Sequence, residues 1–259
     1  MFCSPFGVNL LFIFCFSAIL ISPSIAIIGG KSSNITDEPW TVAIYLQNNY
    51  TCGGSIIDPN YVLTAAQCVH GETRSDISIL YGTADLLLGG NFTFAKNIYY
   101  LRYRPETFDN NIALIETTAK MHLDDITSKA IKLPTIEFDP EAGTQVLVSG
   151  WGDPDPAQAI WFGSLTDANL TVIGRSQCQQ QYKEIGKGPY VNYQVFCAGG
   201  AQGGNVSIES HDAGDPAVQN SMLVGVASYP KGYEPEFPSI FTRVGAFVTW
   251  IEQIIGKSQ

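Results

Sequence analysis

Hydrolysis through a covalent intermediate needs a nucleophile, a base beside it and a group that orients the base. Three stretches of this chain could frame such a site: His211-Asp212-Ala213-Gly214-Asp215-Pro216, Thr64-Ala65-Ala66-Gln67-Cys68 and Asn110-Asn111-Ile112-Ala113-Leu114. Their central residues are inert. Ala213 has no heteroatom with which to attack, and the amides of Gln67 and Asn111 have no basicity near neutral pH. No other nucleophile and base pair can be assembled from the sequence. The only histidines are His70, His122 and His211, and the cysteine spacings are not those of a zinc knuckle. Neither a metal nor a cofactor is expected.

The elements that must position these residues belong to a chain of 259 residues, long enough for a large core. Its formal net charge is -10 and its pI about 4.6, which argues against nucleic acid or an anionic membrane as partner. Residues 1–26 contain no charged side chain. The apolar run from Val8 to Ile21 is short for a membrane span, and Ser24-Ile25-Ala26 offers small residues for cleavage. This segment is read as a signal peptide, which places the rest of the chain outside the cell. Cys52, Cys68, Cys178 and Cys197 then remain in an oxidising setting, where sequence alone allows three pairings. Nearest-neighbour pairing would close two short loops, each stabilising by about 3 kcal/mol. Sequons at Asn34, Asn49, Asn91, Asn169 and Asn205 are possible glycan sites and, if occupied, must lie at the surface.

From Ile27 the pattern is all-β. Short apolar or alternating runs span residues 41–46, 54–57, 61–64, 77–81, 98–103 and 112–116, then 145–149, 165–172, 194–198, 221–227 and 239–244. Turn clusters such as Asp58-Pro59-Asn60 and Gly89-Gly90-Asn91 separate them, which suggests barrels or a sandwich. Only the end reads as helix. Val244, Phe247, Val248, Ile251, Ile254 and Ile255 share one face, with Gly256 as the stop. The proline-containing stretch 126–141 reads as a crossover, so the halves are taken as 27–130 and 131–259.

These motifs resemble the trypsin/chymotrypsin family. Ile27-Ile28-Gly29-Gly30 is similar to its mature N-terminus, and Cys52-Gly53-Gly54-Ser55-Ile56-Ile57 to the strand before its histidine. Ser149-Gly150-Trp151-Gly152, Phe196-Cys197-Ala198-Gly199 and Phe241-Thr242-Arg243-Val244 follow in the family's order. The resemblance implies two six-stranded antiparallel β-barrels with a cleft between them, a C-terminal helix, and the pairs Cys52–Cys68 and Cys178–Cys197. It places Gln67, Asn111 and Ala213 at the histidine, aspartate and serine positions of the triad. In active relatives the aspartate-to-asparagine change alone costs roughly 10⁴-fold in turnover. It also places His211 at an oxyanion glycine, Ser207 near the base of the specificity pocket, and Ser239 and Pro230 at pocket and substrate-pairing glycines. Proline has no N–H for a substrate backbone. The segment from Tyr229 to Pro238 is stiff and bulky and is expected to fill the cleft, while the pocket wall, lacking a cysteine pair near Glu209, is expected to be looser. Retained Asp212 would pair with an Ile27 amine exposed by cleavage after Ala26, with no zymogen stage. Retained Ser228 would bond to Asn111, with Gln67 close by.

The degenerate pattern closely resembles the inactivated serine protease paralogues of scabies mites, secreted trypsin-like chains associated with inhibition of host complement. That resemblance implies a secreted protein that binds host complement components instead of cutting them. A decoy that sequesters protease inhibitors or masks protease substrates is the alternative, and Pro230 and Ser239 weigh against it. Binding would use outer loops. Tyr99-Tyr100-Leu101-Arg102-Tyr103 and Gly186-Lys187-Gly188-Pro189-Tyr190 carry good interface residues, although the first stretch also fits a core strand.

Overall fold

The computed structural model describes residues 27, 29–152, 163–200, 206–208, 210–229 and 237–257. The first six-stranded unit comprises β2 (Thr41–Leu46), β3 (Asn49–Asp58), β4 (Tyr61–Thr64), β5 (Ile77–Tyr81), β6 (Asn91–Tyr100) and β7 (Ala113–Thr117). They pair in the order β2-β3-β4-β7-β6-β5, and β2 meets β5 again to close a barrel. Hairpin chemistry sets the register. Gln47 and Asn48 both take positive φ, 49° and 68°, the two-residue turn whose twist suits a hairpin. Asp58 Oδ1 accepts from the Asn60 N–H at 2.8 Å and turns β3 into β4.

The second unit comprises β8 (Gln145–Gly150), β9 (Thr166–Ile173), β10 (Val195–Ala198), β11 (Pro216–Gln219), β12 (Met222–Tyr229) and β13 (Ser239–Arg243). These run β9-β10-β13-β12-β11-β8, and the β8–β9 pairing closes the ring. A short β1 (Lys31–Ser32) adds to the outside of β9. The fold is thus two closed six-stranded antiparallel barrels with a C-terminal helix. One core fills the first barrel with Ile44, Ile56, Leu63, Ile79 and Leu114, among others. Another fills the second with Val146, Leu170, Phe196, Val224 and Phe241, and Ile27 is buried in it. Cys52 on β3 is joined to Cys68, and Cys178 to Cys197 on β10, closing spans of 16 and 19 residues.

Three departures from the sequence reading have physical causes. A second helix, α1 (Arg175–Glu184), was not expected. Its face turned inward holds only Cys178 and Tyr182, so the apolar period is nearly absent from its Gln-rich sequence. The terminal helix α2 (Val248–Lys257) starts after a 3-10 turn at Val244–Ala246 and runs through Gly256, which does not stop it. β11, four residues headed by Pro216, is too short to show an alternation.

Candidate functional site

The three inert residues converge where the barrels meet. Asn111, which precedes β7, is fully buried. Its Nδ2 donates to Gln67 Oε1 at 2.6 Å and to Ser228 Oγ at 2.8 Å, and its Oδ1 accepts from the Gln67 backbone N–H at 2.9 Å. Thr242 Oγ1 donates to the Asn111 carbonyl at 2.8 Å. Gln67 lies in the 3-10 turn Ala66–Cys68 and is half-buried. Ala213 is 1% exposed, and its carbonyl accepts from the Gly53 N–H at 2.8 Å beside the Cys68 sulfur. Gly214 holds this corner with φ 88°, and a Cβ there would strike the Gly53 carbonyl and Thr64. The cluster is a set of neutral groups satisfied by one another. It can hold shape, but its hydroxyls, Ser228 Oγ and Thr242 Oγ1, have no base within the cluster to take a proton from them.

His211 sits exposed in the 3-10 turn Ser210–Asp212, outside the left-handed region. Its carbonyl accepts from the Tyr50 hydroxyl at 3.0 Å, and the two rings lie 6.5 Å apart. Burial first, then the carboxyls of Asp215 and Asp212, push the Tyr50 phenol well above its usual range, so it stays a donor. Ser207 is 4% exposed, and its hydroxyl has no hydrogen-bond partner among the described residues. Ser239 is equally buried, but its hydroxyl accepts from the Ile208 N–H at 3.1 Å. Tyr229 ends β12, while Pro230 and residues 231–236, with Glu209, lie outside the described residues, so the expected filling of the cleft is not part of the geometry.

Ile27 is buried, and its nitrogen donates to Thr166 Oγ1 at 3.2 Å. Asp212 and Asp215 are both fully buried. Sequence reasoning gave Asp215 no role. Its signal was an acid flanked by Gly214 and Pro216 at the entry to a strand, where an exposed loop residue is the usual reading. Of the sequons, Asn34, Asn49, Asn91 and Asn169 are exposed, and Asn205 lies outside the described residues.

The two candidate binding loops meet. Tyr99 turns toward the barrel, its hydroxyl donating to Glu116 at 2.9 Å, whereas Tyr100 and Leu101 face solvent. The His70 ring lies 5.3 Å from both Tyr100 and Tyr103. Tyr103 then contacts Phe108 at 6.5 Å, Phe108 contacts Tyr190 at 5.6 Å, and the Lys187 ammonium stands 4.8 Å above the Tyr190 ring. Phe108 joins the loops and was missed in the sequence. Its φ of 56° is uncommon for a bulky residue. Asn192 donates to Asp109 at 2.8 Å and Gln194 to Asn110 at 2.7 Å, so side-chain bonds also tie the barrels together on this side.

With this geometry in place, comparison with known proteins is decisive for the family. Residues 27–251 match the trypsin family, and the chain belongs to it. It is 34% identical over 228 residues to Trypsin Blo t 3 of Blomia tropicalis, covering 87% of this chain and 85% of that protein. Among solved structures, it is similar to scabies mite inactivated protease paralogue S-D1, with 49% identity and a TM-score of 0.83 over 89% of this chain and 98% of that one. Paralogue S-I1 follows with 39% identity and a TM-score of 0.79, over 88% and 99%. This similarity to inactivated paralogues supports loss of protease activity. Among the described residues, no helix is long and apolar enough to cross a membrane, and no cluster of metal-ligating side chains occurs.

Proposed function

We propose that this is a secreted, proteolytically inactive trypsin homologue that acts by binding proteins, as a decoy for the inhibitors or substrates of its active relatives. The triad positions are Gln67, Asn111 and Ala213. The observation that supports this most is the closed network of Asn111, Gln67 and Ser228, which maintains the floor of the cleft with neutral hydrogen bonds after the reactive groups are gone. The objection from Ser239 weakens, because its hydroxyl is taken up by the Ile208 N–H. The test is to add the secreted protein to an active trypsin held by a protein inhibitor. Recovery of trypsin activity in proportion to added protein is expected, with no hydrolysis of peptide substrates by the protein alone. Hydrolysis, or a failure to bind either inhibitor or substrate proteins, would overturn the reading.

A second reading, binding and inhibition of host complement, is favoured by the ring contacts that join Tyr103, Phe108 and Tyr190 into one surface beside the cleft. Loss of complement lysis, abolished by Tyr190→Ala but not by filling the pocket, would select this reading over the decoy.

A further inference from the structure

The least compensated group in the described structure is Asp215. It is fully buried, neither carboxyl oxygen has a hydrogen-bond partner among the described residues, and no described Lys, Arg or His pairs with it. It occupies a made space. A Cβ on Gly53 or on Gly150 would collide with the Asp215 carboxyl, so two bare glycines from β3 and β8 form its walls. A Cβ on Gly152 would strike the carboxyl of Asp212 in the same way. A buried lone carboxylate carries a desolvation cost that folded proteins meet with a proton or a cation.

Both are within reach. Burial first, then the neighbouring carboxyl of Asp212, push the Asp215 acid well above the ordinary carboxylate range. Asp215 rests on Gly150 and Asp212 on Gly152, two residues apart in the chain, and two neighbouring buried carboxyls are both acceptors unless one of them carries a proton. The cation comes from the other side. The Ile27 nitrogen bonds to Thr166 Oγ1, which in turn donates to the carbonyl of Gly150, the glycine on which Asp215 rests. Tyr50 faces the acids from β3 with its phenol kept neutral, and His211 is on their own turn. Across β9 and β1 lie Asp167 and Lys31, paired with each other at 3.6 Å, and β8 has no titratable residue.

We propose that Asp215 shares a proton with Asp212 in a buried acid pair, Asp212 being the acid that the family resemblance pairs with the Ile27 ammonium once the chain is cut after Ala26. The trio is then neutral: one carboxylic acid, one carboxylate and one ammonium. Asp215 is the new member, and it donates its proton to the carboxylate that holds the amine. The proposal rests on Ile27 as the mature N-terminus, and it is independent of what the protein binds.

The full chain is secreted in a Glu38→Gln background, which removes the other acid raised to about 7, its N-terminus is sequenced, and infrared difference spectra are recorded against pH. A protonated carboxyl band persisting at pH 7 in this background is expected, absent when Asp215→Asn is added. Inserting a glutamine between Ala26 and Ile27 displaces the amine, and the midpoint at which the band disappears should move to higher pH, because the pair loses its cation. Absence of the band at pH 7 in the Glu38→Gln background, its persistence when Asp215→Asn is added, or an unmoved midpoint after the insertion each overturns the proposal. A native chain beginning elsewhere than Ile27 overturns the ammonium assignment, while the band of the Glu38→Gln protein reads the shared proton separately from it.

Discussion

The cleft side and the interior behind it hold their polar groups in opposite ways. At the cleft, three positions bear Gln67, Asn111 and Ala213, and the groups that remain satisfy one another without a formal charge. On either side of Ala213, Asp212 and Asp215 are fully buried, and Glu38 and Asp167 are buried near the strap formed by β1. The neutral polar network is therefore confined to the cleft side, and the second barrel tolerates ionisable groups that most cores exclude.

That contrast can be sharpened or broken by measurement. The largest effect should come from Glu38, which burial raises from 4.5 to about 7, while a hydrogen bond from Ser33 acts against the rise. A folded value above the unfolded one means that its contribution is complete below about pH 4.5 and is lost as pH rises through about 7. Urea unfolding should show roughly 3 kcal/mol less stability at pH 8 than at pH 4.5 from this group, at about 1.4 kcal/mol per unit. Glu38→Gln should flatten that slope, and an unchanged slope would remove Glu38 from the set of interior acids. Next is Asn111→Ala, which leaves Ser228 Oγ and the Gln67 N–H without their partner and should cost about 1–3 kcal/mol in the same assay. A negligible cost would mean the cleft network holds nothing in place. Gln67→Ala should cost less, about 1 kcal/mol or below, because Gln67 is half-exposed and water can replace its carbonyl. Smallest of all is Ala213→Ser. With Gln67 unable to accept a proton, a sensitive peptide-ester assay should remain at background, and any burst of product would show that a base survives in the cleft.

Much of this was legible before any coordinates. The strands 41–46, 61–64 and 77–81 have the same bounds in the sequence and in the structure, because apolar residues and turn residues agree there. The bond from Asn111 to Ser228 could be expected from the resemblance to the trypsin/chymotrypsin family. Other features had no one-dimensional signal. The polarity of α1 hides a helix that is held by one disulfide and one tyrosine, not by a stripe. β6 starts at Asn91, seven residues before the apolar run that announced it, because Phe92 and Phe94 face solvent and the period is inverted there. The Asp215 wedge depends on glycines from β3 and β8 that are distant in sequence, and only the closed barrels bring them to one carboxyl.

The position of α2 has a consequence for the order in which the protein can be made. Phe247 and Ile251 share one buried core with the first barrel, although they lie far downstream of β7, its last strand. A nascent chain that has emerged through residue 243 therefore has all six strands of that barrel but not its complete core. The helix must leave the ribosome before the first half can be sealed, so a premature stop ahead of Ile251 damages the half of the molecule that was translated first.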